Sequence, residues 1–162
     1  MVYIMLAKGF EEIEALTVCD VLRRAGIACA LVSQEKAVTG AHGITVNADI
    51  LIGEVDLTAL DAIVLPGGMP GVDNLENDAK VQDILKFAVD NDLLVCAICA
   101  APPPCMPARL LPNTKISFGF NEVIYSGVTR NAIVMFVISF LNSPAKVRLF
   151  CEICKSTGIK DE

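Results

Sequence analysis

The chain has 162 residues, 54% of them hydrophobic, which is enough for one domain with a sizeable core. Its formal net charge is -6 and it has no basic cluster, which argues against nucleic acid and anionic membrane surfaces as partners. The longest apolar stretch near the C-terminus, residues 132–141, is too short to span a bilayer, so no membrane partner is expected.

The predicted elements alternate between strand and helix at short spacing. Such alternation predicts a doubly wound α/β sheet, in which ligands bind at the carboxyl ends of the strands. In chain order the elements are a strand at Val2–Leu6, a helix from Glu11 to Ala25, a strand at Ile27–Ser33, extended pieces at Ile44–Ala48 and Leu51–Ile52, a strand at Ala62–Leu65, a helix at Ala79–Asn91 and a strand at Leu93–Ile98.

Cysteine usage indicates the compartment. The chain has seven cysteines, an odd number that cannot all pair within the chain, and most of them lie within apolar patterns. Both features favour free thiols in a reducing cytosol over a disulfide framework. Two Cys-x-x-Cys spacings, Cys96/Cys99 and Cys151/Cys154, are typical of zinc sites. However, Cys96 and Cys99 would point to opposite faces of a strand, so we predict no metal site. Thioredoxin-like exchange between Cys96 and Cys99 stays open, although it needs both thiols at a helix N-terminus.

Cys99 is the leading candidate for a reactive group. An apolar run from Leu93 stops at this cysteine, and small residues and Pro102 follow at once, which predicts a buried strand that turns sharply into a helix. The unpaired N–H groups and positive end of that helix would favour thiolate, the reactive form. Because of the prolines, the helix is either very short or begins beyond Pro107.

Gly67 and Gly68 follow the buried strand 62–65 and let the backbone turn tightly there. Their N–H groups would point into the crevice at the strand ends. Together with the N–H of Ala100, they form a candidate oxyanion hole for a carbonyl attacked by Cys99. An ordinary strand-to-helix turn explains the two glycines equally well.

Glu14 lies one turn into the first helix between apolar neighbours. Acidic residues are common at helix N-termini because of the helix dipole, and we assign that role to Glu11 and Glu12. If Glu14 points towards Cys99, each group raises the pKa of the other. The workable arrangement is a protonated Glu14 that donates a hydrogen bond to the sulfur anion.

His42 is the only histidine and lies in a polar turn. An exposed histidine without a catalytic role is the commoner case at such a position. Nothing in the sequence places His42 near Cys99.

Four segments, in the right order, resemble the ThiJ/PfpI superfamily, and most closely its protein-deglycase branch. They are residues 8–15 (KGFEEIEA), 22–27 (LRRAGI), 61–68 (DAIVLPGG) and 97–102 (AICAAP). The resemblance is dense from residue 2 to residue 102 and thin afterwards.

This resemblance implies a flavodoxin-like three-layer sandwich with a mainly parallel sheet and helices on both faces, usually as a homodimer. It implies one domain over residues 1–162, with the stretch from about 103 to 162 shortened or divergent. Cys99 would be the nucleophile, Glu14 its protonated partner, and Gly68 and Ala100 the backbone donors of the oxyanion hole. Relatives are credited with cofactor-free glyoxalase activity, repair of glycated groups, redox sensing, chaperoning and, in some branches, proteolysis.

The chain departs from the family pattern at a histidine. Many members carry one after the strand that here reads Thr114–Phe118, whereas this chain has Gly119 there and no histidine beyond His42. The resemblance puts His42 near a dimer-facing turn, so His42 is a candidate to reach the site of a second subunit.

These features predict a cysteine-dependent, cofactor-free deglycase or glyoxalase-like protein in the cytoplasm. Its substrates would be small reactive carbonyls such as methylglyoxal, or their adducts. One alternative is a non-enzymatic redox-sensing or chaperone-like protein with an oxidisable Cys99. The other is a hydrolase of the protease branch, which the missing downstream histidine disfavours.

Overall fold

The computed structural model describes residues 1–101 and the short strands 115–117 and 133–135. Nine strands and three α-helices occur in these residues. In chain order they are β1 (Val2–Met5), α1 (Glu12–Arg24), β2 (Cys29–Ser33), β3 (Ala37–Thr39), β4 (Thr45–Asn47), β5 (Ile50–Leu51), β6 (Ala62–Leu65), α2 (Gly71–Glu76), α3 (Ala79–Asp90), β7 (Leu94–Ala97), β8 (Lys115–Ser117) and β9 (Ile133–Met135).

Within the described residues, five strands form one parallel sheet in the order β5-β2-β1-β6-β7. The chain runs from β1 to β2 on one side and later returns to β6 on the other side. This reversal makes the carboxyl ends of β1 and β6 a topological switch point, where open α/β sheets bind ligands. β3 and β4 form a separate antiparallel hairpin, and β8 pairs with β9 in parallel.

Strand alternation distributes the core over both faces of the sheet. In β1, Val2 and Ile4 pack in the cluster that contains Ala15, Val18 and Leu22 of α1. Tyr3 and Met5, which point the other way, pack in the cluster that contains residues of α2 and α3. Helices therefore cover both faces, and the fold is a flavodoxin-like α/β sandwich. Among the described helices, none has both the length and the apolar character that crossing a membrane requires.

The sequence-based boundaries agree with the structure to within two residues for β1, α1, β2, β6, α3 and β7. Three elements were not predicted, the strands β3 and β9 and the helix α2. Helix α2 contains glycine, aspartate and asparagine, which are poor helix formers, but burial of Val72 and Leu75 stabilises it. Asn74 also donates a hydrogen bond from Nδ2 to the carbonyl oxygen of Lys8, at 2.7 Å.

The expectations for the last third of the chain fall mostly outside the described residues. This holds for the helix after Cys99, for the shortened or divergent stretch from about 103 to 162, and for the prediction of one domain over 1–162. The described chain forms a turn at residues 98–101, closed by a 3.0 Å hydrogen bond from the Ala101 N–H to the Ile98 carbonyl.

Candidate functional site

Three turns meet at the switch point, and backbone hydrogen bonds join them. The Glu11 N–H, at the start of α1, donates to the Gly67 carbonyl after β6 at 2.9 Å. The Ile98 N–H, at the end of β7, donates to the Leu65 carbonyl at 2.9 Å. The start of α1, the glycine turn and the cysteine turn are therefore positioned by the sheet itself.

Cys99 lies at this edge in a strained conformation. Its φ of 55° is in the left-handed region, which costs a non-glycine residue about 1–3 kcal/mol. The neighbouring Ile98 and Ala101 are buried, whereas Cys99 is exposed. The sharp bend therefore leaves Cys99 accessible to solvent, although its thiol is partly buried.

The structure brings Glu14 to Cys99. The Glu14 Oε2 accepts a 2.7 Å hydrogen bond from the Gly67 N–H, and its carboxyl group also contacts the Cys99 thiol. Burial raises the pKa of Glu14, although the hydrogen bonds from Gly67 and Cys99 act in the opposite direction. A raised pKa is the direction that a proton-carrying Glu14 requires.

The surroundings of Cys99 in the described residues raise its pKa. Burial of the thiol raises this pKa, and the charge and hydrogen bond of Glu14 raise it further, while the Ala100 N–H lowers it. The helix expected after Cys99 lies outside the described residues, so its effect on this pKa stays a prediction. Two acids that oppose each other's ionisation share one negative charge. Cys99 therefore becomes thiolate most readily when Glu14 holds the proton.

Gly67 and Gly68 have different parts in the site. A Cβ on Gly67 would lie 2.7 Å from the Glu14 Oε2 and 2.9 Å from the Cys99 Cβ, so only glycine leaves room for both groups. Gly68 has a φ of 92°, and a Cβ there would meet the backbone of residues 9–11. The Gly67 N–H donates to Glu14, so it is not available as an oxyanion-hole donor, and the oxyanion role of Gly68 and Ala100 stays a prediction.

His42 does not join Cys99 within the chain. Its Nδ1 lies 3.0 Å from the Glu12 Oε2 and 3.5 Å from the Glu11 Oε1, and the residue is 68% exposed. Glu12 is only 4% exposed and accepts hydrogen bonds from the N–H groups of His42 and Ile44 at 2.8 and 3.3 Å. Glu12 thus ties the β3–β4 hairpin to the start of α1 and is more than a helix-dipole charge.

Helical periodicity could have identified Glu12 from the sequence. It precedes Ala15 by three positions on the stripe that continues through Cys19 and Leu22, and all four are buried. A carboxylate on the buried stripe of a helix needs hydrogen-bond partners. No comparable signal pointed to the Gly67 N–H as the partner of Glu14.

The same cluster is the one group in the described part of the chain whose geometry suits a metal ion. Glu11, Glu12 and His42 each offer a ligand atom, and these atoms lie within 4.8 Å of one another. The His42 Nδ1 is hydrogen-bonded to the Glu12 Oε2 at 3.0 Å and lies in ion-pair range of the Glu11 Oε1 at 3.5 Å, so these groups already interact with one another.

The Glu12 cluster predicts acid sensitivity. Burial raises the pKa of Glu12, but its hydrogen bonds outweigh that effect and lower it from 4.5 to about 2. Stability from this group is therefore complete above pH 4.5 and is lost as the pH falls towards 2. Glu12→Gln should flatten the fall in the free energy of unfolding over this range, measured by urea titration at each pH.

His42→Ala provides the matched control for Glu12. Most of the acid-dependent loss should remain in this variant, because the backbone N–H groups at positions 42 and 44 still bind the carboxylate. Contact with Glu12 and Glu11 raises the pKa of His42. The stability that protonated His42 contributes is therefore present below pH 6.5 and is lost at higher pH. Identical acid profiles for parent and Glu12→Gln would contradict the assignment.

Comparisons with known proteins agree with this architecture. Residues 1–123 match the model of the DJ-1/PfpI family. Protein DJ-1 homolog A of Arabidopsis thaliana is 38% identical over 121 residues, which cover 74% of this chain but only 31% of that protein. Deglycase TK1284 of Thermococcus kodakarensis is 34% identical over 116 residues, covering 70% of this chain and 69% of that protein.

A solved structure extends the similarity to the fold. Oxidized DJ-1 of Toxoplasma gondii superposes with a TM-score of 0.73 at 28% identity, covering 98% of this chain and 95% of that one. The resemblance inferred from the four sequence segments is thereby confirmed, and the chain belongs to the DJ-1/PfpI family, in its DJ-1 branch.

Proposed function

We propose that the protein is a cysteine-dependent deglycase or glyoxalase-like enzyme that acts on small reactive carbonyls such as methylglyoxal, or on their adducts. The observation that carries the proposal is Cys99 in a strained, exposed turn against a carboxyl group that the Gly67 N–H holds in place. The deglycase name of the Thermococcus relative supports the substrate class.

In the proposed first step, Glu14 takes the thiol proton and Cys99 becomes the nucleophile. The sulfur attacks the aldehyde carbon, a C–S bond forms, and the carbonyl π electrons move to the oxygen. The N–H groups of Gly68 and Ala100 would stabilise this oxyanion. Glu14 then returns the proton to the oxygen, which gives a hemithioacetal without any cofactor.

The raised pKa of Glu14 suits a proton shuttle. A carboxyl group with an ordinary pKa would stay ionised at neutral pH and would hold little of the thiol proton. Burial of Glu14 raises its pKa and makes its carboxylate a stronger base towards the thiol than an ordinary carboxylate.

The decisive test is methylglyoxal consumption by purified Cys99→Ser. We expect loss of turnover in this variant, because serine lacks a nucleophile of comparable strength, while Cys29→Ser should retain the parent rate. Equal rates for Cys99→Ser and the parent would exclude the enzymatic proposal.

Two alternative functions predict different results in separate assays on the same proteins. A redox sensor would gain two oxygen atoms at Cys99 after mild peroxide treatment, by intact mass, and would consume no aldehyde. A protease-branch hydrolase would cleave an unfolded protein in a Cys99-dependent manner.

The proposal also includes a cytoplasmic homodimer of one domain per chain. Ile13 follows Glu12 in the chain and Ile44 donates its N–H to Glu12, and the two residues are 59% and 55% exposed, which supports their burial against a second copy. His42 is also exposed, and its proposed part is to approach the site of the second subunit.

A further inference from the structure

Two cysteines away from the candidate site lie against each other. Cys19 is on α1 and Cys29 begins β2, and the Cys29 thiol donates a hydrogen bond to the Cys19 carbonyl oxygen at 3.8 Å. The two thiols are also in hydrogen-bond contact with each other. They belong to different elements, so their contact is a product of the fold.

The link between α1 and β2 holds the two cysteines together. The helix ends at Arg24, and the Ile27 N–H returns to the Leu22 carbonyl at 3.0 Å, so the strand starts directly beside the last turns of the helix. Both cysteines pack in the apolar cluster between α1 and the sheet. A short, hydrogen-bonded return of this kind fixes their separation.

The two thiols differ in access and environment. Cys19 is 4% exposed, whereas Cys29 is only partly buried. Cys29 is therefore the more accessible of the two thiols. The Arg23 guanidinium, which is held by Asp49 at 2.6 Å, also contacts the Cys29 thiol.

We propose that Cys19 and Cys29 form a second redox site, at which hydrogen peroxide converts the two thiols into a reversible intramolecular disulfide independently of Cys99. The Cys29 sulfur attacks one peroxide oxygen, the O–O bond breaks, and a sulfenic acid and one water form. The Cys19 sulfur then attacks Cys29, the S–O bond breaks, and a second water leaves with the Cys19 proton. Two thiols and one peroxide thus give one disulfide and two waters.

Burial sets the order of these steps. Burial and the neighbouring Cys29 raise the pKa of Cys19 to about 11, so Cys19 is a poor first target for peroxide. It remains the nearest thiol for a sulfenic acid on Cys29. Cys29 is therefore the reacting cysteine, and Cys19 is the resolving one.

The experiment uses the full chain as Cys99→Ser, which removes the exposed site thiol. After peroxide treatment the free thiols are blocked with N-ethylmaleimide and the protein is digested with trypsin. Cys19 lies on tryptic peptide 9–23 and Cys29 on peptide 25–36, so the disulfide appears as a linked pair in the mass spectrum. We expect this pair to dominate and to disappear with dithiothreitol.

Two variants test the order of the steps. Cys29→Ser should leave Cys19 largely unmodified, whereas Cys19→Ser should let Cys29 proceed to sulfinic acid. Sulfinic acid on Cys29 at equal rates with and without Cys19 would overturn the proposal, as would equal linkage of Cys19 to other cysteines. If Cys19→Ser does not fold, the linked peptides in the Cys99→Ser protein decide the question alone.

Discussion

Glu14→Gln is expected to make Cys99 more reactive towards an alkylating agent while it abolishes turnover. The amide removes the negative charge that raises the Cys99 pKa but preserves the shape of the side chain. The midpoint of the alkylation rate against pH should therefore move down, and alkylation at neutral pH should become severalfold faster. Turnover of methylglyoxal should fall by about 10²-fold or more, because the amide cannot shuttle a proton.

Glu11→Gln is the matched control for this experiment. It makes the same change of charge at a residue whose effect on the Cys99 pKa is the smallest of the named causes, so the midpoint should move much less. A simple loss of structure would slow or abolish both reactions in Glu14→Gln, whereas the proposal requires them to change in opposite directions. An unchanged or higher midpoint in Glu14→Gln would show that Glu14 is already protonated in the resting protein.

Gly67→Ala should damage both stability and the site. The new methyl group would lie 2.7 Å from the Glu14 Oε2 and 2.9 Å from the Cys99 Cβ, so one of these groups must move. Overpacking of this kind costs about 1–3 kcal/mol, which should appear as a lower urea midpoint of unfolding. Displacement of Glu14 should also disturb its hydrogen bond with the Gly67 N–H and change the pH profile of Cys99 alkylation.

Gly53→Ala separates the local clash from a general cost of replacing glycine. A Cβ at Gly53 would meet only the flexible Lys80 Nζ, at 3.7 Å, so this variant should keep the parent midpoint or exceed it. Equal urea midpoints for the two alanine variants would refute the argument that the space at Gly67 is needed by the site.

These expectations share one physical basis, the coupling of Cys99 to Glu14. The raised pKa values of both groups mean that the resting site is not a simple preformed thiolate. Its reactivity depends on where one proton resides, and hence on burial and the Gly67 hydrogen bond. A substrate that displaces solvent from the crevice would act on the same balance.

The main elements of the fold could be read from local sequence patterns. The short apolar run Ala62–Leu65 indicates a buried strand, and the apolar stripe of Ala79–Asp90 indicates a helix. The alternation of strands and helices then predicts a parallel sheet. Helix α2 could not be read in this way, since its stability comes from burial of Val72 and Leu75 and not from local propensity.

The sequence by itself determined the reactive cysteine, the glycine turn and the acidic helix start as candidates, because each follows a strand or begins a helix with a recognisable pattern. Only the tertiary structure decided how they interact: Gly67 binds Glu14, Glu14 raises the Cys99 pKa, and Glu12 binds His42. Contacts between residues about 30 to 85 positions apart depend on the order of strands in the sheet, and side-chain protonation depends on burial. Neither the order of the strands nor the burial of a side chain can be read from the spacing of neighbouring residues.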